Sequence, residues 1–142
     1  MTTSDLQQVR EDVMRDEGLR LLPYVDTVGK ITIGYGRNLT DCGITRDEAA
    51  QFLDQDIRRA VSDVLIAFPW AQRLDGPRQI VLVEMCFNMG ISKLKGFKQF
   101  LAFLEAGNYQ QAAVEMLDSH WADQVGARAT RLASIMHSGE IK

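Results

Sequence analysis

Apolar residues recur every three or four positions along most of the chain and fall into alternation in only one stretch. Leu6, Val9, Val13 and Met14 have that helical spacing behind Ser4-Asp5-Leu6-Gln7, a capping-box pattern. They predict a helix over about 4–16, stopped near Gly18. From Arg20 to Gly36 the texture changes. Val25-Asp26-Thr27-Val28-Gly29-Lys30 is a turn signal, and Ile31-Thr32-Ile33-Gly34-Tyr35 alternates β-branched and small residues, so a short β-hairpin or small meander is expected. Thr45-Arg46-Asp47-Glu48 is a second capping box. Behind it Ala49, Phe52, Leu53, Ile57, Ala60, Val61, Val64 and Leu65 predict a long helix over about 46–67, ended by Pro69. Beyond it Pro77 suits a first helical position and Gly90 a C-terminal cap, and further helices are expected over 93–106, 109–118 and 127–137.

The order of elements gives an α+β architecture in one domain, 1–142. A small lobe over about 17–44 carries the hairpin or short sheet. A connecting helix over about 46–67 joins it to a helical lobe over about 70–142, with helix 4–16 packed on that lobe. A cleft between lobes is the default binding site.

Composition narrows the function. With 142 residues and 46% apolar content the chain can fill a real core, which excludes a disordered polymer. The net charge of −3 disfavours a nucleic-acid binder. That charge is uneven: residues 1–69 hold eight basic against twelve acidic side chains, and residues 70–142 eight against seven. Carboxylate chemistry is therefore expected in the first half. Met1 to Arg10 has no signal-peptide pattern, and no apolar run approaches a membrane span, so a cytoplasmic protein without membrane insertion is expected. Cys42 and Cys86 read as two reduced thiols. His120 and His137 have no ligand spacing, and Gly34-Tyr35-Gly36 lacks the third glycine of a dinucleotide fingerprint, so neither metal nor cofactor is expected. Trp121 reads as core of the helical lobe.

Glu17 at a helix end, Asp26 in a turn and Thr32 in a strand are each unremarkable alone. Together they say more. A helix that stops at Glu17 and feeds a hairpin brings all three to one rim, and two carboxylates facing a groove are the minimum equipment for glycoside hydrolysis.

The residues around them carry a resemblance. Asp16-Glu17-Gly18-Leu19-Arg20-Leu21, Tyr24-x-Asp26-Thr27-x-Gly29 and Thr32-Ile33-Gly34-x-Gly36 resemble the glycoside hydrolase family 24 phage lysozymes of the T-even type. The likeness continues through Gly43-Ile44-Thr45-x-Asp47-Glu48-Ala49, Phe87-Asn88-Met89-Gly90, Gly96-Phe97 and Ser119-x-Trp121 to Arg128 and Arg131. It implies a lysozyme-like fold and an endolysin that cleaves the β-1,4 bond between N-acetylmuramic acid and N-acetylglucosamine with inversion, for host-cell lysis. It also implies a monomer, held in the host cytoplasm until a separate membrane pore releases it to the peptidoglycan. By the same likeness Glu17 is the proton donor, Asp26 activates the attacking water and Thr32 holds that water. Phe87 and Asn88 contact sugar, and Arg128 faces the catalytic glutamate.

Departures from the family pattern matter as well. Arg37 stands where the family has a histidine, and the resemblance implies that it pairs with Asp56. Asn38, Phe100 and Glu115 replace other sugar-touching positions, and the segment from Gly36 to Thr45 is short, which should open the cleft on that side. Two other readings stay open at this point: a catalytically silent glycan-binding or tail-associated module on the same fold, and a lytic transglycosylase, which needs only the acid.

Overall fold

Helix α1 (Thr3–Glu17) opens the computed structural model, which describes residues 1–141. Its capping box is Thr2 with Asp5, not Ser4 with Gln7. The Asp5 amide donates to Thr2 Oγ1 at 3.1 Å, and the Thr2 amide donates to Asp5 Oδ2 at 2.7 Å. A carboxylate in the first turn also suits the positive end of the helix dipole, which accounts for the earlier start. α1 is amphipathic in sequence but buries none of its residues.

Three strands follow, β1 (Arg20–Val25), β2 (Ile31–Gly34) and β3 (Arg37–Asn38), in an antiparallel meander of order β1-β2-β3. Tyr24 pairs with Thr32 and Val25 with Ile31, and Thr32 in turn pairs with Asn38. The register shifts between Arg20 and Tyr24 on the outer strand. Pro23 lies in that interval with no N–H to donate, which is tolerable only at an edge. Asn38 then caps a four-residue helix, α2 (Leu39–Cys42), its Oδ1 accepting from the Asp41 amide at 3.0 Å. A single turn is too short to show a period, so the sequence pattern did not announce it.

Helix α3 (Arg46–Ala67) starts at the expected Thr45–Glu48 box. The Glu48 amide donates to Thr45 Oγ1 at 3.1 Å, and the Thr45 amide donates to Glu48 Oε1 at 2.9 Å. The chain divides within this helix into two units, Met1–Gln51 and Phe52–Lys142.

The first unit holds α1, the meander, α2 and the first turns of α3. Thr32 is its one buried residue among the described residues. The second unit is helical: a 3-10 turn (Pro69–Arg73), α4 (Gly76–Met89), α5 (Ile91–Lys95), α6 (Lys98–Glu105), α7 (Tyr109–Leu117), α8 (His120–Val125) and α9 (Ala127–Ser138). The one helix expected over 93–106 is two, because the chain turns at Gly96-Phe97, and α8 was not anticipated. Its Ser119 N-cap, whose hydroxyl accepts from the Ala122 amide at 3.1 Å, was the available signal. Val64, Val81, Leu82, Met85, Leu94, Phe100, Leu104, Met116, Leu132, Ile135 and Met136 form the core, none more than 2% exposed. α3 buries Ala60 and Val64 in it and packs Leu65 and Ala67 against it, while its Phe52, Leu53, Ile57 and Val61 are exposed.

Arg78 closes the C-terminal end of α9. It donates from Nε to the Met136 carbonyl at 2.7 Å and from Nη2 to the His137 carbonyl at 2.9 Å, and it pairs with Asp75 at 3.0 Å. Its guanidinium stacks 3.6 Å from the Tyr109 ring centroid.

Candidate active site

Glu17 is the last residue of α1, and Gly18 (φ +69°) turns the chain straight into β1. A helix end leaves this side chain exposed, with no hydrogen bond to it from elsewhere in the first unit among the described residues. Its carboxylate lies against Gly36, in the turn between β2 and β3.

Asp26 is held by its own turn. Its Oδ1 accepts the amides of Val28 at 3.0 Å and Lys30 at 2.8 Å. The Gly29 amide donates to the Asp26 carbonyl at 3.1 Å, and Gly29 takes φ +86°, where a side chain would be strained. The second carboxylate oxygen, Oδ2, accepts nothing from the described residues, so this acid keeps one oxygen for a ligand. The Asp26 amide and the Thr32 hydroxyl both donate to the Lys30 carbonyl, at 2.9 and 3.1 Å. One peptide unit thus couples the turn to the buried Thr32. With its proton committed there, the Thr32 hydroxyl is left as an acceptor.

Arg37 has a partner within the first unit that the resemblance did not imply. Its Nη1 donates to Glu48 Oε1 at 2.7 Å and to the Gly43 carbonyl at 3.2 Å. The reason is local. Glu48 is already fixed by the Thr45 cap, and β3 delivers Arg37 to it. The Thr45 amide and then Arg37 hold the Glu48 carboxyl below its usual range. Asp56 lies in the second unit, in a hollow of about 410 Å³ with Arg59, Asp63, Cys86 and Phe87. Burial, and then the Asp63 charge, push the Cys86 thiol up, so it stays a neutral core group.

Phe87 and Asn88 end α4 in the second unit. Phe87 is exposed and lines an apolar groove of about 820 Å³ with Ile57, Ile80, Val83, Glu84 and Arg128. Arg128 stands 3.9 Å from Glu84, which is bonded more closely by Arg131 at 2.8 Å. Glu84 therefore anchors both arginines, a role that nothing in the sequence pattern indicated. Asn88 Oδ1 accepts from Trp121 Nε1 at 2.8 Å. That bond orients the Asn88 amide so that its N–H donors face away from the indole. Trp121 is 5% exposed, a core residue as expected, but also the one that aims Asn88. Phe100, by contrast, is 1% exposed and packs edge-on to Phe97, so it is core and not an open contact position.

The structure thus puts Glu17, Asp26, Thr32 and Arg37 in the first unit, and Phe87, Asn88, Arg128 and Asp56 in the second. A family model described as phage lysozyme matches residues 14–135, from the last turn of α1 into α9. The chain belongs to the phage lysozyme family. This lysozyme is a glycosidase that hydrolyses peptidoglycan. It is 26% identical to the probable T4-type lysozyme 2 of Dictyostelium discoideum, over 96% of this chain and 98% of that protein. It is 31% identical to an endolysin of Acyrthosiphon pisum secondary endosymbiont phage 1, over 74% of this chain and 72% of the relative. It is also 29% identical to the pre-baseplate central spike protein Gp5 of Enterobacteria phage T4, over 93% of this chain but only 28% of the spike protein. No helix among the described residues of the lysozyme is long and apolar enough to cross a membrane.

Proposed function

We propose that this lysozyme cleaves the β-1,4 bond between N-acetylmuramic acid and N-acetylglucosamine by general acid and base catalysis, with inversion at the anomeric carbon. Glu17 protonates the glycosidic oxygen as the bond breaks. Asp26 takes a proton from the water that attacks the opposite face of the sugar, and the Thr32 hydroxyl accepts a hydrogen bond from that water. An inverting reaction requires about 6.5–9.5 Å between the two carboxyl groups, to leave room for the water. Phe87 offers an apolar face to a sugar ring, and the outward N–H donors of Asn88 suit its hydroxyl or acetamido oxygens. Arg128 has a supporting role by the family likeness, and the partner described for it is Glu84, at 3.9 Å.

The observation that carries this reading is the Asp26–Lys30–Thr32 network, which ties one carboxylate oxygen down and leaves the other, with the Thr32 lone pairs, free for water. An aspartate used only to make a turn has no need of a buried threonine bonded to the same peptide.

In its biological setting the enzyme acts as a monomeric endolysin, leaving the host cytoplasm through a separate membrane pore to lyse the cell. The similarity to the spike protein favours a second setting, the same chemistry carried on a virion tail.

Glu17→Gln and Asp26→Asn test the chemistry. Each should lower turbidity clearing of purified peptidoglycan by about 10²–10⁴-fold, while circular dichroism stays unchanged. Proton NMR of fresh products should show the inverted anomer. Retained anomeric configuration, or 1,6-anhydro ends from a transglycosylase, would overturn the mechanism. Copurification with virions rather than release at lysis would select the tail setting.

A further inference from the structure

Gly36 closes the motif Thr32-Ile33-Gly34-x-Gly36, yet the chemistry above gives it nothing to do. We propose that Gly36 is the positioning residue for the proton donor, its missing side chain leaving the seat in which the Glu17 carboxylate lies. The proposal rests on the reading of Glu17 as that donor.

A Cβ built on Gly36 would stand 2.9 Å from Glu17 Oε2, 3.0 Å from Cδ and 3.2 Å from Cγ. Real Cβ atoms essentially never stand 2.9 Å from another atom, so Oε2, with Cδ and Cγ behind it, occupies the volume that any other residue would fill. Glu17 has no hydrogen bond within the first unit to fix its rotamer, which makes contact with the Gly36 backbone the constraint on where Oε2 sits. The seat itself is anchored. The next residue, Arg37, pairs with Ile33 across the sheet and is pinned by Glu48 and the Gly43 carbonyl.

The clash of a Gly36 side chain would be with the free end of a flexible one. Glu17 would swing aside at little cost to the fold, and what swings is the donor oxygen. Gly34 supplies the control. It has nearly the same left-handed backbone, φ +71° against +76°, but nothing lies within 4 Å of its Cβ position. Alanine at either site is strained by a positive φ, and only at Gly36 does it meet the carboxylate.

The experiment compares Gly36→Ala, Gly34→Ala and Glu17→Gln on soluble peptidoglycan fragments, with Tm measured for each. Gly36→Ala and Gly34→Ala should lose similar Tm. Gly36→Ala should lose about a hundredfold in kcat, as an ångström-scale misplacement of a catalytic group does, with KM changed by no more than about twofold. Gly34→Ala should keep its kcat. Equal kcat for the two alanine variants would overturn the proposal, as would a loss confined to KM, because the new methyl would then be obstructing sugar. If Glu17→Gln is inactive while Gly36→Ala works, the seat fails and the donor assignment stands. If Glu17→Gln is active, both fall. Should Gly36→Ala fold poorly, kcat of both alanine variants is read below the lower Tm, where a loss confined to Gly36→Ala supports the seat and equal kcat overturns it.

Discussion

The two units of this lysozyme are built on different physics. The second, Phe52–Lys142, is held by apolar burial: Leu82, Met85, Leu94, Leu104, Met116, Leu132 and Met136 have no exposed surface. The first, Met1–Gln51, buries only Thr32 among the described residues and leaves Leu21, Leu22, Val25 and Val28 at 67–79% exposure. What organises it is polar: two capping boxes, the Asp26 turn, the Arg37–Glu48 pair and the Lys30–Asp41 pair at 3.1 Å. The candidate acid and base both belong to this polar unit. A scaffold of directional hydrogen bonds sets single atoms, such as Asp26 Oδ2, but yields little stabilisation per bond, about 0.5–1.5 kcal/mol net. A packed core does the reverse.

The widest gap should separate matched truncations. Phe100→Ala, in the second unit, should cost about 3–5 kcal/mol in urea denaturation, because it leaves a cavity in a close-packed core. Leu22→Ala, in the first, should change stability by less than about 0.5 kcal/mol. Comparable losses would break the contrast.

Arg78→Met sharpens it from the other side, as a polar device inside the apolar unit. Its removal frees two carbonyls at the end of α9 and takes the cation from Tyr109, and should cost about 2–3 kcal/mol. Lost amide-exchange protection should centre on α9. A change confined to the first unit would refute the assignment.

The smallest effect is set by pH. Glu48 and Asp5 both have carboxyls held below their ordinary values, 4.5 and 3.8, by capping amides, and both lie in the first unit. A carboxyl whose folded value is depressed stabilises above its unfolded value, and that contribution disappears as pH falls through the folded one. Amide protection at the start of α3 should therefore weaken as pH drops below about 4.5, the ordinary value for Glu48. Glu48→Gln keeps a capping acceptor without the charge and should flatten that response. An undiminished acid response in Glu48→Gln would assign the effect elsewhere.

Periodicity and punctuation carried much of this fold. The 46–67 helix is present at those bounds because a capping box starts it and Pro69 stops it, both local events. The spacing of Glu17, Asp26 and Thr32 was legible for the same reason, since a helix end, a turn and a return strand lie within sixteen residues. Local sequence was silent where the partner is remote or the element short. It did not show that α2 and α8 exist, that Glu48 would take Arg37, that Trp121 aims Asn88, or that Phe100 turns inward.

The amino-acid pattern by itself determined where helices begin and end and which residues bear carboxylates, because those depend on neighbours three or four positions away. Only the tertiary structure decided which apolar faces are covered and which oxygens stay free. It also decided that the space beside Glu17 belongs to Gly36, because those outcomes depend on atoms that the chain brings together from far apart.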